Sequence, residues 1–414
     1  AAASGEGGAG EQAELVMRLS KDQVGCRLLQ QRLDALGGGG GGGGEDSPLA
    51  AAVWAAARAR LPELMVDPFG NYLFQKLLDA APAGGARCGE VLAAVQGHLA
   101  RAAADLHGTR SAQKLLERCT APDQVAILRA RLAPHVVELC LDANGNHVVQ
   151  AAARRLGAGP ADRRFVFEAL AAAAPRVARH RHGCCALQRC LAAAPAGSAE
   201  RRRLALAAAA DARALMTDPF GNYVVQAVLD LGGPEAARAV AAQARGHVHA
   251  LSAQKFGSNA VERLLERAPP AQLRALVLEL VHGPPMPDGG GGGGGGGKKD
   301  AARGKQALGR LLRDPFGNYV VQRALDAAPA ALARQLAEAV RPHLPGLRHT
   351  SGGRRLAAKC ARRWGAAPPP STPPPPPTPP PSSSGGADDA AAAAQGPQLL
   401  PAAGAAAAAR SGSP

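Results

Sequence analysis

One short segment recurs along this chain. Asp-Pro-Phe-Gly-Asn-Tyr-Leu-Phe-Gln at 67–75 returns almost unchanged at 218–226 and 314–322, and looser copies lie between them. Steps between copies that no glycine run interrupts are 36 to 38 residues long, a period typical of helical repeats. The chain is therefore predicted to form one elongated α-solenoid in which each repeat packs against its neighbours. The glycines that mark repeats 1 to 8 are Gly25, Gly70, Gly108, Gly145, Gly183, Gly221, Gly257 and Gly317.

Composition separates this repeat region from less regular segments. The two longer steps contain glycine runs, which predict flexible loops inserted near 37–46 and 284–304. Residues 1–13 are rich in Gly and Ala, and residues 365–414 are rich in Pro, Ala and Ser, so both are predicted to be disordered. The repeat region is accordingly placed at 14–364.

Each motif has the features of a helix start. Apolar residues follow the glycine at helical spacing, as at Leu73, Leu77 and Leu78. A second apolar helix lies upstream of the next motif, for example over 125–132. In the strongest copies Asp is a natural N-cap and Pro a natural first helical residue. The glycine lacks a Cβ, so we expect a neighbouring helix to approach closely there.

The charge balance indicates a polyanionic partner. Lys and Arg number 48 against 33 Asp and Glu, giving a formal net charge of +15, and neutralising phosphates supplies sequence-independent affinity. A basic but merely solvated surface is the alternative. The eight cysteines show no disulfide framework and no stretch is apolar enough to span a membrane. We therefore expect a cytoplasmic protein, with a nuclear or nucleolar location as the alternative.

Two polar residues lie one turn apart on the same face of each motif helix, one and five positions after the glycine. Seven of the eight second members are Gln and the other is Glu, which predicts a set of amide and carboxylate arms on one surface. An amide offers one donor and one acceptor, which matches uracil or adenine, whereas a carboxylate accepts from the two donors of guanine. A small first member leaves room for a purine, and Asn can reach a pyrimidine. These polar pairs are Cys26/Gln30, Asn71/Gln75, Thr109/Gln113, Asn146/Gln150, Cys184/Gln188, Asn222/Gln226, Ser258/Glu262 and Asn318/Gln322.

A third residue stands between the two members of each pair, and most of these residues are flat. Aromatic rings and guanidinium groups stack on unpaired bases, as in single-stranded RNA recognition. Cys185 cannot stack in this way, so repeat 5 is expected to hold its base less firmly. The middle residues are Arg27, Tyr72, Arg110, His147, Cys185, Tyr223, Asn259 and Tyr319.

In the two members of the polar pair and the middle residue, the eight motifs resemble those of Pumilio-type (PUF) RNA-binding proteins. The resemblance implies an all-α fold, a right-handed crescent of three-helix repeats similar to armadillo and HEAT superhelices. It implies a monomer whose concave face binds single-stranded RNA from mRNA 3′ untranslated regions. It further implies regulation of mRNA translation and stability, with recruitment of deadenylation or translational-repression proteins. Residues 349–364 resemble a degenerate C-terminal cap without a polar pair.

The resemblance also implies antiparallel binding, in which repeat 8 meets the 5′ base. Applied to the polar pairs from repeat 8 back to repeat 1, this polarity predicts the element 5′-UGUAUAUA-3′. Thr109 departs from the usual Cys or Ser, and its extra methyl group leaves the preference at the sixth base less defined than the others.

The sequence also contains residues that could suggest a metal site or an enzyme. His180, His182, Cys184, Cys185 and Cys190 lie close in sequence, but their spacing fits no common zinc pattern. No phosphate-binding loop or nucleophile elbow occurs, so we expect no metal, no cofactor and no enzymatic activity. The alternatives to mRNA regulation are a helical scaffold for acidic protein partners and a nucleolar PUF-like factor in ribosome assembly. The regular Gln and Glu series favours RNA binding over the scaffold, and sequence-specific mRNA regulation over the ribosome-assembly role.

Overall fold

The computed structural model describes residues 3–37, 48–157, 159–283 and 296–364. Its regular secondary structure in these ranges is entirely helical. The predicted tail, and most of each predicted loop, lie outside the described residues. None of the described helices is long and apolar enough to cross a membrane.

Each repeat contains three helices, where apolar periodicity alone had indicated two. A short helix precedes the motif helix and a third helix follows it; in repeats 1 and 8 an 18-residue helix takes the place of the short one. The first helices are Ala3–Ser20, Leu61–Val66, Leu99–Ala104, Val136–Leu141, Ala174–Ala178, Ala212–Met216, Val248–Ser252 and Gly296–Arg313. The motif helices are Gln23–Gly37, Gly70–Ala80, Gly108–Arg118, Gly145–Arg155, Gly183–Ala193, Gly221–Leu231, Lys255–Arg267 and Gly317–Ala327. The third helices are Pro48–Arg58, Ala86–Val95, Pro122–Leu132, Pro160–Ala172, Ala199–Ala209, Gly233–Ala244, Pro270–His282 and Ala330–Val340.

The remaining helical segments complete the repeat region. Three-residue 3₁₀ turns at Gln96–His98 and Ala133–His135 link third helices to the next short helices, and a longer one covers Arg341–Leu347. A final helix, Ser351–Trp364, packs against the motif helix of repeat 8.

Successive motif helices pack against one another and form a continuous layer from repeat 1 to the final helix. One hydrophobic core runs through the region from Met17 to Cys360 and is built mainly of Leu, Val and Ala. Phe74, completely buried, is among its largest side chains. This nearest-neighbour packing confirms the predicted solenoid.

The Asp of the motif caps the helix that follows it. In repeat 2 the Asp67 carboxylate accepts hydrogen bonds from the backbone N–H groups of Phe69, at 2.9 Å, and Gly70, at 2.7 Å. The Asp67 carbonyl accepts from the Asn71 N–H at 3.1 Å. Pro68 and Phe69 form the turn between cap and helix, so regular helix begins at the glycine, two residues after the proline.

The motif glycines are required by close packing against the preceding short helix. A Cβ on Gly108 would lie 2.5 Å from the carbonyl oxygen of Ala102, and one on Gly183 would lie 2.4 Å from that of Val177. In all eight repeats the nearest crowded atom belongs to the residue six positions before the glycine. The predicted close approach is confirmed, and the neighbour is a short helix that the apolar pattern did not show.

Two predicted irregular segments are partly helical. The helix Ala3–Ser20 covers most of 1–13, and the helix Gly296–Arg313 begins inside the loop predicted at 284–304. Helix therefore extends into both segments, and the domain bounds drawn from composition stay a prediction. Alanine and lysine are strong helix formers, and helix formation extends cooperatively from an end that is already packed, such as Met17, across glycine-rich sequence.

Candidate nucleic-acid interface

The eight polar pairs lie on neighbouring motif helices, with the first member directly after the glycine and the second one turn later, and share one layer of the solenoid. Their burial follows a regular pattern. The first member is almost fully buried in seven repeats and half-buried at Asn318, while the second member is half-buried in six and buried at Gln188 and Gln322. The middle residue is the most exposed of the three in most repeats. Each repeat therefore presents a flat or small side chain beside a partly covered amide or carboxylate.

In the Asn-Gln repeats the asparagine holds the glutamine in place. Asn71 donates both of its side-chain N–H groups to the turn before the helix, at 2.9 Å to the carbonyls of Asp67 and Pro68. Its Oδ1 accepts from Gln75 Nε2 at 3.1 Å. The same bond to the asparagine Oδ1 is made by Gln150 to Asn146 at 2.9 Å, by Gln226 to Asn222 at 3.2 Å and by Gln322 to Asn318 at 3.0 Å.

This arrangement changes the role expected of asparagine. Its donors are used within its own turn and only 2% of Asn71 is exposed, so in this structure it orients the neighbouring amide instead of reaching outward. Gln75 Nε2 also lies 3.3 Å from the Asn71 carbonyl oxygen, so Asn71 engages this amide through its nitrogen, and the Oε1 acceptor together with the donor capacity that Asn71 does not use remains for a partner. The amide edge that matches uracil is therefore fixed before any ligand arrives.

The small first members make hydrogen bonds of a different kind. Cys26 Sγ donates to the Phe69 carbonyl of repeat 2 at 3.1 Å, and Thr109 Oγ1 donates to the Asn144 carbonyl of repeat 4 at 3.0 Å. Ser258 Oγ instead donates within its own turn, to a backbone carbonyl three residues earlier, at 3.1 Å. These side chains are shorter than asparagine, and the purine preference predicted for their repeats stays a prediction.

The glutamines that follow small first members bond back to their own helix. Gln30 Nε2 lies 3.3 Å from the Cys26 carbonyl oxygen and 3.2 Å from Cys26 Sγ. Gln113 Nε2 lies 3.1 Å from the Thr109 carbonyl oxygen and 3.4 Å from Thr109 Oγ1. Gln188 Nε2 likewise donates to the carbonyl four residues earlier, at 3.1 Å. The backbone thus orients these amides where no asparagine is present to do so.

The predicted amide arms are partly covered and bonded to their own helices. Gln30, Gln113 and Gln150 are half-buried, and the side-chain Nε2 of each donates to the residue one turn earlier. The physical reason is that the first member lies directly beneath the amide on the same helix face, within hydrogen-bonding distance. The Oε1 of each amide and the donor capacity not used in these bonds are left for a base. Their contacts with RNA stay predictions.

Glu262 is the single carboxylate among the eight second members. Arg323 of repeat 8 donates to it, with 3.4 Å between Arg323 Nε and Glu262 Oε2. Burial raises the pKa of the Glu262 carboxyl above its usual value, and Arg323 opposes that rise. The site holds an acceptor-only group where the other repeats hold amides.

The middle residues are mostly accessible for stacking. Tyr72 is 55% exposed and Tyr319 47%. A base could lie between successive exposed rings or guanidinium planes. The other exposed middle residues are Arg27, Arg110, His147 and Asn259, whereas Cys185 and Tyr223 are half-buried.

The final helix, which in sequence resembles a degenerate cap, repeats the glycine and capping geometry of the motif. A Cβ on Gly353 would clash with the carbonyl of Leu347, six positions earlier, as in the other repeats. Thr350 Oγ1 accepts from the Gly353 N–H at 2.9 Å, replacing the capping Asp. The middle position is then Arg355, which is exposed. The three-residue spacing from capping residue to glycine was the signal that could have identified it.

The histidine and cysteine cluster of repeat 5 has a structural explanation. His180 Nδ1 accepts from the backbone N–H groups of His182 and Gly183, at 3.3 and 3.4 Å, and so replaces the capping Asp. Cys184 and Cys190 are completely buried. Within the ranges that the structure describes, no group of three or more His, Cys, Asp or Glu side chains is placed to hold a metal ion.

Taken together, the fold and the polar pairs define a helical-repeat protein with one similar recognition position in every repeat. The family model of the Pumilio-family RNA binding repeat matches eight segments, one for each repeat, and the chain therefore belongs to the Pumilio (PUF) family. This is a family of RNA-binding proteins rather than enzymes. The matched segments are 16–38, 60–83, 101–130, 135–152, 175–197, 213–241, 247–281 and 310–340.

Individual relatives agree with this assignment. The chain is 35% identical over 348 residues to a Pumilio domain-containing protein of Schizosaccharomyces pombe, covering 84% of this chain and 46% of that protein. It is 36% identical over 330 residues to pumilio homolog 7 of Arabidopsis thaliana, covering 79% and 45%. The chain thus spans about half the length of these curated relatives.

Solved structures show the same fold. The Puf4 RNA binding domain bound to the HO endonuclease RNA 3′ UTR recognition sequence is 33% identical, with a TM-score of 0.67 covering 82% of this chain and 97% of that one. The RNA-binding domain of yeast Puf5p is 23% identical, with a TM-score of 0.68 over 85% and 97%, and supports the fold alone.

Proposed function

We propose that this chain binds single-stranded RNA sequence-specifically, one base per repeat, at elements in mRNA 3′ untranslated regions. The observation that supports this most directly is the series of seven Gln and one Glu, each five residues after the motif glycine on a motif helix, all within one layer. A protein-binding scaffold has no need for the same amide position in every repeat. The 3′ UTR RNA bound to the structurally similar Puf4 domain supports the choice of RNA.

The bound element is proposed to be 5′-UGUAUAUA-3′, with repeat 8 at the 5′ base. Four Asn-Gln pairs present the acceptor and donor that complement uracil, and Ser258/Glu262 presents the acceptors that complement guanine. Cys26, Thr109 and Cys184 leave space for a purine at the eighth, sixth and fourth bases. Arg355 provides a flat group on the outer side of the first base, opposite Tyr319.

Binding of this element is tested by fluorescence polarisation with the labelled octamer and with octamers changed at one base each. Each change is expected to weaken binding by about 1 to 3 kcal/mol, since a mismatch leaves polar groups unpaired. Changing the second base should have one of the largest effects on affinity, because that base is proposed to lie opposite a carboxylate. Equal affinity for all octamers, or stronger binding of an acidic peptide, would contradict the proposal.

Stacking is tested at the middle positions of repeats 2 and 5. Tyr72→Ala is expected to weaken binding by about 1 to 3 kcal/mol by removing a base platform, whereas Cys185→Ala should change little. Cys185→Tyr should strengthen binding. Dissociation constants of the three variants for the same octamer decide this, and equal effects of the two alanine changes would argue against stacking at these positions.

The biological role is proposed to be regulation of mRNA translation and stability in the cytoplasm, through recruited deadenylation or repression proteins. A reporter mRNA carrying UGUAUAUA in its 3′ untranslated region should change in level or output when the protein is expressed. A reporter with the guanine changed should not respond. If both reporters respond, the response does not depend on the guanine of the element, and the proposed regulation is contradicted even if the protein binds RNA.

A further inference from the structure

Ion pairs connect neighbouring motif helices in a repeated position. A cation six residues after the motif glycine contacts an acid nine residues after the glycine of the preceding repeat. Lys114 Nζ lies 3.0 Å from Asp79 Oδ1, and Arg323 Nη1 lies 2.9 Å from Glu266 Oε1. The series, called the ion-pair ladder below, comprises Lys76–Asp34, Lys114–Asp79, Arg263–Asp230, Arg323–Glu266 and Lys359–Asp326.

Arg323 makes one contact that sets it apart from Lys114. In addition to its ladder partner Glu266, it donates through Nε to Glu262, the residue that opposes the second base in the proposed function. Lys114 pairs only with acids outside the polar pairs, Asp79 and Glu117. The side chain of Arg323 is 42% exposed and that of Glu262 23%.

Glu262 needs such a partner. A carboxylate that is partly removed from water loses hydration, which favours its protonated form. Guanine recognition requires the ionised form, because both donors of the base must find acceptors. An ionised carboxylate has about four lone-pair sites, so Oε2 can accept from Arg323 and from a base at once.

We propose that Arg323 is a positioning residue for guanine selection by repeat 7, acting across the repeat boundary by orienting Glu262 and balancing its negative charge. This inference rests on the proposed function and names a residue of repeat 8 as part of the specificity of repeat 7. The guanidinium is suited to the task because it is planar, always charged and able to donate to two carboxylates at once.

The inference predicts a pH dependence confined to the second base. The charged groups around Glu262 are Arg323 and Lys359, which favour its ionised form, and Glu266, which opposes it. Because burial raises the pKa of Glu262, the preference for guanine is present above that pKa and is lost as the pH falls through it. Removing Arg323 raises the pKa further, so the loss should begin at a higher pH.

The experiment compares Arg323→Gln with the matched ladder variant Lys114→Gln. Dissociation constants are measured for the octamer with G or U at the second base, and for one changed at the seventh base, which faces repeat 2. Arg323→Gln is expected to reduce the G-over-U ratio at the second base about tenfold, the scale of one charge-assisted hydrogen bond. Lys114→Gln should leave discrimination at the seventh base unchanged.

Two further measurements make the result decisive. Arg323→Lys keeps the positive charge but not the planar pair of donors, and should show an intermediate ratio. Repeating the comparison between mildly acidic and neutral pH should show guanine preference failing earlier in Arg323→Gln than in the wild type. These shifts affect base choice and pH profile, which a purely structural ion pair would not change.

Different outcomes would overturn this inference and the proposed RNA recognition on which it rests. If Arg323→Gln weakens all octamers equally, or leaves the G-over-U ratio unchanged, Arg323 is only a ladder residue and the inference is overturned while RNA recognition stands. If the wild type shows no preference for guanine at the second base, the proposed function fails, and the inference fails with it.

Discussion

Replacing Ser258 by Asn and Glu262 by Gln together is expected to switch the preferred second base from guanine to uracil. The new pair would reproduce the arrangement of Asn222 and Gln226, in which Asn Oδ1 holds the Gln amide at 3.2 Å. A carboxylate that accepts from both guanine donors is then replaced by an amide with one acceptor and one donor. The loss of the preference for guanine and the gain of a preference for uracil are each expected to amount to about 1 to 3 kcal/mol.

The measurement is the set of dissociation constants for four octamers that differ only at the second base. Discrimination at the third base, opposite the unchanged Asn222 and Gln226, serves as an internal control. The reciprocal change, Asn222→Ser with Gln226→Glu, should create a guanine preference at the third base. If the first variant still prefers guanine at the second base, repeat 7 does not recognise that base.

Gly108→Ala is expected to destabilise the repeat region. Its Cβ would lie 2.5 Å from the Ala102 carbonyl oxygen and 3.0 Å from Val66 Cγ1, and the backbone at the short helix must move to relieve the contact. Overpacking of this kind costs about 1 to 3 kcal/mol and alanine normally stabilises a helix by about 1 kcal/mol relative to glycine, so a net destabilisation of up to about 2 kcal/mol is expected. Urea unfolding followed by circular dichroism measures the change.

Gly97→Ala is the matched control, since no atom lies within 4 Å of the position that its Cβ would occupy. It should be neutral or slightly stabilising, by up to about 1 kcal/mol, through reduced freedom of the unfolded chain. If both variants unfold at the same urea concentration, close packing is not the reason for glycine at the motif position.

Much of the fold was predictable because the repeat is encoded locally. The motif glycine and the apolar positions recur in all eight repeats, and an Asp caps the motif helix in six of them, so many copies support the same prediction. The short helices were not visible as a pattern, because five or six residues such as Ala212–Met216 complete too few turns to show periodicity. The polar pairs were found from spacing, and their roles as base readers stay predictions.

Other features depend on contacts between distant residues and could not be predicted. Both side-chain N–H groups of Asn71 bond to carbonyls of the turn before the helix, because the backbone around Pro68 brings those carbonyls within reach. The residue type alone does not show this. The contact between Arg323 and Glu262 joins residues 61 positions apart across the inserted loop. His180 acts as a cap only because its ring reaches the N–H groups of the next turn.

The hydrogen bonds of the small first members determine how far the recognition code is modular. Asn71 and its equivalents bond within their own turn, so exchanging such a pair should leave adjoining repeats undisturbed. Cys26 and Thr109 donate to the backbone of the following repeat, so redesigning them also releases a carbonyl in a neighbour. Engineering of new RNA targets on this scaffold is therefore expected to be simplest at the uracil positions, and to need compensating changes at repeats 1 and 3.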